Sequence, residues 1–219
     1  MTQTAQSPEP IIYQGQFGDF TITKSDRQGV IIYRIGLMIA ALSFALGSAL
    51  VLWQGNNPTV IQTLTPLMVC FCLGLGISLA TIHIYMAILH QILQLFWFIG
   101  TIATVIFAIN GSEPLALVVY NNPVTIFGVG FIFAALTGIY FKEAICFNRL
   151  ETKFLTPLVP FLLLSHLGSF LSIEAKEFLL GTWAFLFIVF AIRKAFQQIP
   201  PDIGDKSVFE YLHQQKNQA

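Results

Sequence analysis

Charged side chains are scarce in this chain of 219 residues. They make up 10% of the residues, whereas an average soluble domain carries about 25%. The long stretch between Arg34 and Glu113 does not contain a single Asp, Glu, Lys or Arg. A helix needs about 20 apolar residues to cross a bilayer, so this stretch alone has room for three crossings. This composition excludes a soluble globular domain and predicts an all-α, polytopic transmembrane helical bundle.

An excess of charge of one sign and a pattern of paired cysteines are also missing. The chain has 11 basic and 11 acidic residues, which gives no positive field for nucleic acid, so nucleic-acid binding is excluded. Its three cysteines form neither a Cys-x-x-Cys pair nor a metal quartet. Cys70 and Cys72 are two apart and so point to different sides of a helix, and all three cysteines are expected to be apolar packing residues.

A leader sequence is not visible at the N-terminus. The segment 1–30 lacks a basic start followed by an apolar core, and Glu9, Asp19 and Asp26 are atypical of a transit peptide. We therefore expect the mature chain to begin at Met1. Residues 1–10 are polar and contain prolines, which predicts a disordered tip.

The apolar runs that follow predict six membrane spans of about 20 residues each. Residues 60–109 carry no charge and would form a helix of about 75 Å, so a turn is required near His83–His90. Pro123 and Pro157 are expected at the starts of spans four and five, and Pro66 is an alternative start for span two. The predicted spans are 30–53, 60–82, 89–109, 123–141, 155–173 and 177–193.

Basic residues between the spans predict the orientation. With six spans, Lys176 lies alone on one side of the membrane. The other side receives ten basic residues: Lys24, Arg27, Arg34, Lys142, Arg149, Lys153, Arg193, Lys194, Lys206 and Lys216. Because basic loops stay on the cytoplasmic side, both termini are predicted to be cytoplasmic. Five or seven spans would divide these basic clusters between the two sides.

The segments outside the spans show local structure of their own. Residues 11–23 alternate β-branched and aromatic residues with glycines, which predicts a short extended or hairpin-like segment. Ser25 and Gln28 have the spacing of a capping box, and so do Ser207 and Glu210, which predicts a short helix near 208–215. The predicted organisation is an N-terminal tail (1–25), a six-span domain (26–193) and a C-terminal tail (194–219).

His166 is the one candidate cofactor-binding residue. It lies near the centre of predicted span five, beside a polar stripe formed by Ser165, Gly168, Ser169 and Ser172. Three interpretations stay open: an interhelical hydrogen bond, an axial bond to the metal of a tetrapyrrole such as haem or chlorophyll, and proton transfer or catalysis. His83 and His90 would share a helix face only without the predicted turn, so a metal site there is a weaker alternative.

Catalytic motifs are missing. The sequence has no Gly-x-Ser-x-Gly elbow, no His-Glu-x-x-His motif and no phosphate-binding glycine loop, so no catalytic or metal-ligating residue is predicted. The spans also lack mid-depth carboxylates, which weighs against ion-coupled transport. Small residues repeat every four positions, at 41, 45 and 49 and again at 130, 134 and 138. Such ridges favour close helix packing, within the chain or against another membrane protein.

The stretch YQGQFGDFTITKSDRQGVIIYRIG, residues 13–36, resembles a family of integral membrane proteins of cyanobacteria and plastids whose biochemical role is uncharacterised. The resemblance implies a photosynthetic organism and a thylakoid location, with a bacterial inner membrane as the alternative. It carries no catalytic residue over to this chain.

The sequence identifies neither a reaction nor a cofactor, and it favours a non-enzymatic role. Our leading hypothesis is an auxiliary protein of a photosynthetic membrane, in contact with the bilayer and with photosystem or other membrane-complex subunits. The first alternative is a carrier or channel for a neutral solute, with Gln62, Asn110 and His166 as candidate polar contacts. The second alternative is a membrane enzyme that acts on lipid or isoprenoid substrates.

Overall fold

The computed structural model describes residues 11–55, 57–84 and 86–218, so the predicted tip at residues 1–10 lies outside the described residues. Within these ranges the chain folds into helices and one short hairpin. The strands are β1 (Ile12–Gln14) and β2 (Asp19–Thr21). The helices are α1 (Lys24–Gln54), α2 (Pro58–Thr81), α3 (Ala87–Asn110), α4 (Leu115–Asn121), α5 (Ile126–Phe147), α6 (Leu150–Gly168), α7 (Ile173–Ala195), α8 (Pro200–Ile203) and α9 (Lys206–Gln218).

Five of these helices are long and apolar enough to cross a membrane. They are α1, α2, α3, α7 and α5 with the 3₁₀ turn that precedes it. The helix of predicted span five, α6, has 19 residues and carries Glu151 and Lys153 near its start. A helix of that length extends about 28 Å, close to the thickness of the hydrocarbon core. The all-α membrane bundle is therefore confirmed with five such helices, and α6 packs between α5 and α7.

The predicted break between spans two and three is confirmed. Helix α2 ends at Thr81 and α3 begins at Ala87. The alternative that used Pro66 as a helix start is wrong, because Pro66 lies inside α2. The helix instead begins with Pro58, and the preceding Asn57 caps it by accepting a hydrogen bond from the Thr59 amide at 3.0 Å. Helix α4, between α3 and α5, was not predicted.

The boundaries of α5 and α6 differ most from the prediction. Helix α5 continues past position 141 to Phe147, and α6 begins at Leu150 instead of near 155. Asn148 separates them in the left-handed conformation at φ 51°, which asparagine tolerates better than most residues. Pro157 consequently lies inside α6 and does not start it. The charged stretch predicted as a loop is thus almost entirely helical.

Residues 32–197 form one compact unit, which we call the helical unit, and close helix packing holds its core together. Gly36 of α1 and Gly74 of α2 face each other so closely that a Cβ on Gly36 would lie 2.6 Å from the Gly74 carbonyl oxygen. Beside this crossing, the Ser78 hydroxyl donates to the Tyr33 carbonyl oxygen at 2.9 Å. Small residues at such crossings let helix backbones approach, which is the main way membrane helices associate.

The remaining described residues, 11–31 and 198–218, form a second compact unit, which we call the terminal unit. Strands β1 and β2 pair antiparallel with Tyr13 opposite Phe20, so the predicted hairpin is confirmed. The predicted Ser25–Gln28 capping box is wrong, because α1 already begins at Lys24. Thr23 and Asp26 cap it instead: the Thr23 amide donates to Asp26 Oδ2 at 2.8 Å, and the Asp26 amide donates to Thr23 Oγ1 at 3.2 Å.

The two ends of the chain meet within the terminal unit. The backbone amide of Gln16 donates to Asp205 Oδ2 at 2.7 Å, and that of Phe17 donates to Ser207 Oγ at 3.0 Å. The ring of Phe17 stacks on Tyr211 with the centroids 4.0 Å apart. Asp205 also accepts the Ser207 amide at 2.9 Å, so it caps α9, and the helix begins earlier than the Ser207–Glu210 box predicted.

Candidate functional site

The most polar region inside the helical unit lies where α5 ends, α6 begins and α7 ends. Helices α5 and α6 pack against each other, and so do α6 and α7, which brings these three helix ends together. Charged side chains from all three ends converge there. We call this group the ionic cluster: Lys142, Glu143, Arg149, Glu151, Arg193 and Lys194.

Glu143 is the centre of the cluster. Its side chain is 0% exposed, and its two carboxylate oxygens contact Lys142 Nζ at 2.9 Å and Lys194 Nζ at 2.7 Å. Arg149 Nε lies 3.9 Å from the same carboxylate, and the Tyr33 hydroxyl donates to it at 3.4 Å. Lys194 is also fully buried. Helix α7 thus reaches α5 through an ion pair that is closed to solvent.

Glu151 forms the second carboxylate centre. It is 4% exposed and accepts hydrogen bonds from Arg149 Nη1 at 3.4 Å and Arg193 Nη1 at 2.6 Å. Arg149 contacts both carboxylates and therefore links the two halves of the cluster. Arg193 is 56% exposed, so the cluster is buried around Glu143 and opens at Arg193.

Aromatic and amide groups complete the surroundings of the cations. The Phe147 ring lies 4.2 Å from Lys194 Nζ and 5.2 Å from Lys142 Nζ, which is the range of cation–π attraction. Arg149 Nη2 donates to the side-chain oxygen of Gln197, whose backbone carbonyl accepts from Arg34 Nη1 at 2.6 Å. Lys194 also lies in the last turn of α7, where the carbonyl dipoles favour positive charge.

One hydrogen-bond donor in the cluster, Arg149 Nε, lacks an acceptor among the described residues. This nitrogen is buried. Its ion-pair contact with Glu143 is too long for a hydrogen bond. A buried donor without a hydrogen-bond partner costs about 1–3 kcal/mol.

Sequence reasoning did not find this cluster. It counted Lys142, Arg149, Arg193 and Lys194 as loop or tail charges that set orientation, and it ignored the two carboxylates beside them. The sequence did contain a signal for the cluster. Glu143 and Glu151 are acidic residues close to these basic residues at the edges of apolar runs, and neighbouring charges of opposite sign can form ion pairs. Only the packing of α5, α6 and α7 shows that the charges are partners.

His166 lies elsewhere than expected. It occupies the last turn of α6 instead of the middle of a span, because Ser169 takes the left-handed conformation and ends the helix there. Its half-buried ring lies 5.6 Å, centroid to centroid, from the Tyr120 ring of α4. Of the serine stripe, Ser165 donates to the Leu162 carbonyl oxygen, and Ser172 caps α7 by accepting the Ala175 amide.

His90 caps the end of a helix. Its Nε2 lies 2.6 Å from the Leu79 carbonyl oxygen and 3.1 Å from the Gln94 side-chain nitrogen. The Gln94 amide nitrogen reaches the same carbonyl at 3.3 Å. His83 lies in the segment between α2 and α3, so the two histidines share no helix. Across residues 11–55, 57–84 and 86–218, no three His, Cys, Asp or Glu residues are grouped as a metal site requires.

Two cavities in the helical unit have apolar walls. One of about 190 Å³ lies among α1, α2, α5 and α7, and Ser43 and Ser48 are its polar lining residues. The other, about 380 Å³, lies between α2 and α3 beside Gln94 and Trp97. The candidate solute contacts Gln62 and Asn110 are exposed side chains and line neither of these cavities.

The comparisons with known proteins identify a family. No curated protein and no solved structure is significantly similar to this chain. A family model described as an uncharacterised integral membrane protein, DUF2301, matches residues 77–211. The match covers more than half of the chain and contains every residue of the ionic cluster. The chain therefore belongs to the DUF2301 family of integral membrane proteins.

Proposed function

We propose that this multi-pass membrane protein is a non-enzymatic auxiliary of a photosynthetic membrane that docks onto a larger membrane complex during its assembly or maintenance. The observation that carries the proposal is the terminal unit. Segments from the two ends of the sequence are joined there by hydrogen bonds and a ring stack. Ordering both chain ends costs conformational entropy. In return, the ordered ends form a defined surface outside the spans, which a docking protein needs.

The terminal unit carries apolar side chains on its surface. Ile11 and Ile12 are both 66% exposed, and Phe17 and Leu212 are 47% and 45% exposed. Exposed apolar side chains on a segment outside the spans are typical of a protein–protein contact. The proposed partners are photosystem or other membrane-complex subunits, and the photosynthetic membrane itself is inferred from the family resemblance of residues 13–36.

We also propose six spans, with both termini on the cytoplasmic side. Two contacts support an even number of crossings: Tyr33, near the start of predicted span one, donates to Glu143, and Arg34 donates to the Gln197 carbonyl just after α7. These contacts bring the beginning of the first span and the end of the last span together. The sixth crossing is α6, whose polar first turn is neutralised by the ionic cluster.

Affinity purification tests the docking proposal. The tagged full chain, extracted in a mild detergent from its native membrane, should recover subunits of a photosystem or a pigment-synthesis enzyme. Replacing Ile12 with Asp should reduce this recovery several-fold, because it places a charge on the proposed contact surface. Glu177→Gln, at an exposed position in the second turn of α7, serves as the matched control and should recover the same subunits.

Two results would contradict the proposal. One is recovery of the protein alone, without any membrane-complex subunit. The other is solute flux in liposomes that carry the purified protein, with loss of flux after substitution of Gln62, Asn110 or His166. That second result would favour the carrier or channel.

A further inference from the structure

The open side of the ionic cluster combines three groups that attract an anion. Arg193 is 56% exposed while its Nη1 is bonded to Glu151, so its guanidinium lies at the boundary between the cluster and its surroundings. Arg149, 8% exposed, adds a second guanidinium charge beside Arg193, while its buried Nε–H faces Glu143 on the closed side of the cluster. These two arginines share Glu151, so their guanidinium groups lie close together.

The start of α6 is the third group. Arg149 occupies the position before the helix and makes no side-chain cap hydrogen bond. The first backbone N–H groups of a helix have no partner within the helix, and its N-terminal end carries partial positive charge. The one acidic side chain in this first turn, Glu151, is already bonded to both arginines. An oxyanion with several oxygens suits this combination of donors.

The surroundings of the site select a lipid over a soluble anion. Leu150 and Phe154 on the first turns of α6 are 64% and 58% exposed, and Ile192 on α7, next to Arg193, is 44% exposed. The charged site therefore adjoins a surface of apolar side chains on the same helices. An amphiphile with an acidic head and acyl chains matches both parts. The site also lies at helix ends, which is the depth of lipid headgroups.

We propose that the open side of the ionic cluster binds the phosphate of an anionic lipid headgroup. Arg193 donates to the phosphate oxygens beside the uncapped start of α6, the charge of Arg149 adds to the attraction, and the acyl chains lie along Leu150 and Phe154. This inference does not depend on the proposed docking function, because it concerns the helical unit alone.

Lipid-dependent thermal stability tests the site. Full-length protein, stripped of lipid in a non-ionic detergent, is heated while its tryptophan fluorescence is followed. The additions are phosphatidylglycerol, phosphatidylcholine or inorganic phosphate, with the ionic strength held constant. A ligand that binds the native state raises the unfolding midpoint. We expect phosphatidylglycerol to raise the midpoint and phosphatidylcholine and inorganic phosphate to have little effect.

Substitutions then locate the site. Arg193→Gln should weaken the apparent Kd for phosphatidylglycerol by about tenfold or more, since a hydrogen bond to a charged group is lost. Arg193→Lys, which keeps the charge but loses the planar fork, should have an intermediate effect. Lys176→Gln makes the same change in charge at the opposite end of α7 and should leave the Kd unchanged. If Arg193→Gln does not fold, the double variant Glu151→Gln/Arg193→Gln removes the unpaired carboxylate and takes its place.

Three results would overturn the proposal. Equal stabilisation by phosphatidylglycerol and phosphatidylcholine would show that the headgroup charge is not recognised. Stabilisation by inorganic phosphate, with no additional effect of the lipid, would assign the site to a soluble anion. An equal loss of phosphatidylglycerol affinity in Arg193→Gln and Lys176→Gln would place the lipid elsewhere.

Discussion

At the scale of single residues, Glu143 shows how a carboxylate is kept inside a bundle of apolar helices. Removing a charge from water is expensive, and the cost is offset only when partners surround it. Glu143 has Lys142 and Lys194 within hydrogen-bond distance, with the hydroxyl of Tyr33 on the same oxygen as Lys142. Because Lys194 comes from α7 and Tyr33 from α1, this one carboxylate ties three helices together.

We therefore expect Glu143→Gln to destabilise the protein strongly. Breaking a buried ion pair by removing one partner costs about 3–5 kcal/mol, because the other charge stays buried without compensation. Denaturant titration in detergent micelles measures the free energy of unfolding. Glu177→Gln, at an exposed position, is the control and should stay within about 0.5 kcal/mol of the wild type. A Glu143→Gln protein as stable as the control would contradict this account.

At the same scale, His166 either packs against a neighbouring helix or binds a tetrapyrrole. The Tyr120 ring packs beside its imidazole in the last turn of α6, so we expect a packing role. His166→Leu should then cost about 0.6 kcal/mol, a typical value for polar contacts between membrane helices. The absorption spectrum of protein purified from its native membrane should stay unchanged. A Soret-region band or a magnesium-porphyrin spectrum that disappears in His166→Leu would establish a tetrapyrrole ligand instead.

At the scale of elements, one acidic side chain contacts both the hairpin and α9. Asp205 caps α9 and also accepts the Gln16 amide of the hairpin. The hydrogen bond from the Ser207 hydroxyl, followed by that from the Gln16 amide, lowers the pKa of Asp205 below its ordinary value. The ionised form is thus the one that joins the two ends of the chain.

The association of these elements should therefore depend on pH. A carboxyl group whose pKa is lower in the folded state stabilises that state above its ordinary pKa, and this contribution disappears as the pH falls through the lowered value. Hydrogen exchange at the Gln16 and Ser207 amides, corrected for intrinsic rates, should show less protection below about pH 4. Asp205→Asn should be less protected at neutral pH and show no such change. Identical pH profiles for both proteins would refute this role for Asp205.

At the scale of the whole molecule, the number of crossings decides which surfaces share a compartment. Cysteines introduced at Gln14 and Glu210, both exposed, should react with a membrane-impermeant reagent from the same side in a background without native cysteines. A cysteine at Glu177, in the second turn of α7, should react from the opposite side. This outcome requires an even number of spans. Labelling of positions 14 and 210 from different sides would overturn the six-span proposal.

The sequence by itself determined the class of this protein and most of its helices. Hydropathy is a local property, so the uncharged stretch between Arg34 and Glu113 was enough to predict a membrane bundle. The break between α2 and α3 and the N-terminal hairpin followed from chain length and residue alternation. The family also followed, since the model for uncharacterised integral membrane proteins matches residues 77–211.

Only the tertiary structure decided where the charges go. Lys142 and Arg149 are basic residues of the kind expected in a loop. They lie instead within α5 and directly before α6, because Glu143 and Glu151 pair with side chains from α7, which is distant in the sequence. Hydropathy alone counts each charged residue as unfavourable inside a span and therefore predicts that it lies in a loop. An ion pair lets the charged residue stay buried at a helix end instead of in a loop. The partner in that ion pair can be identified only from the packing of α5, α6 and α7.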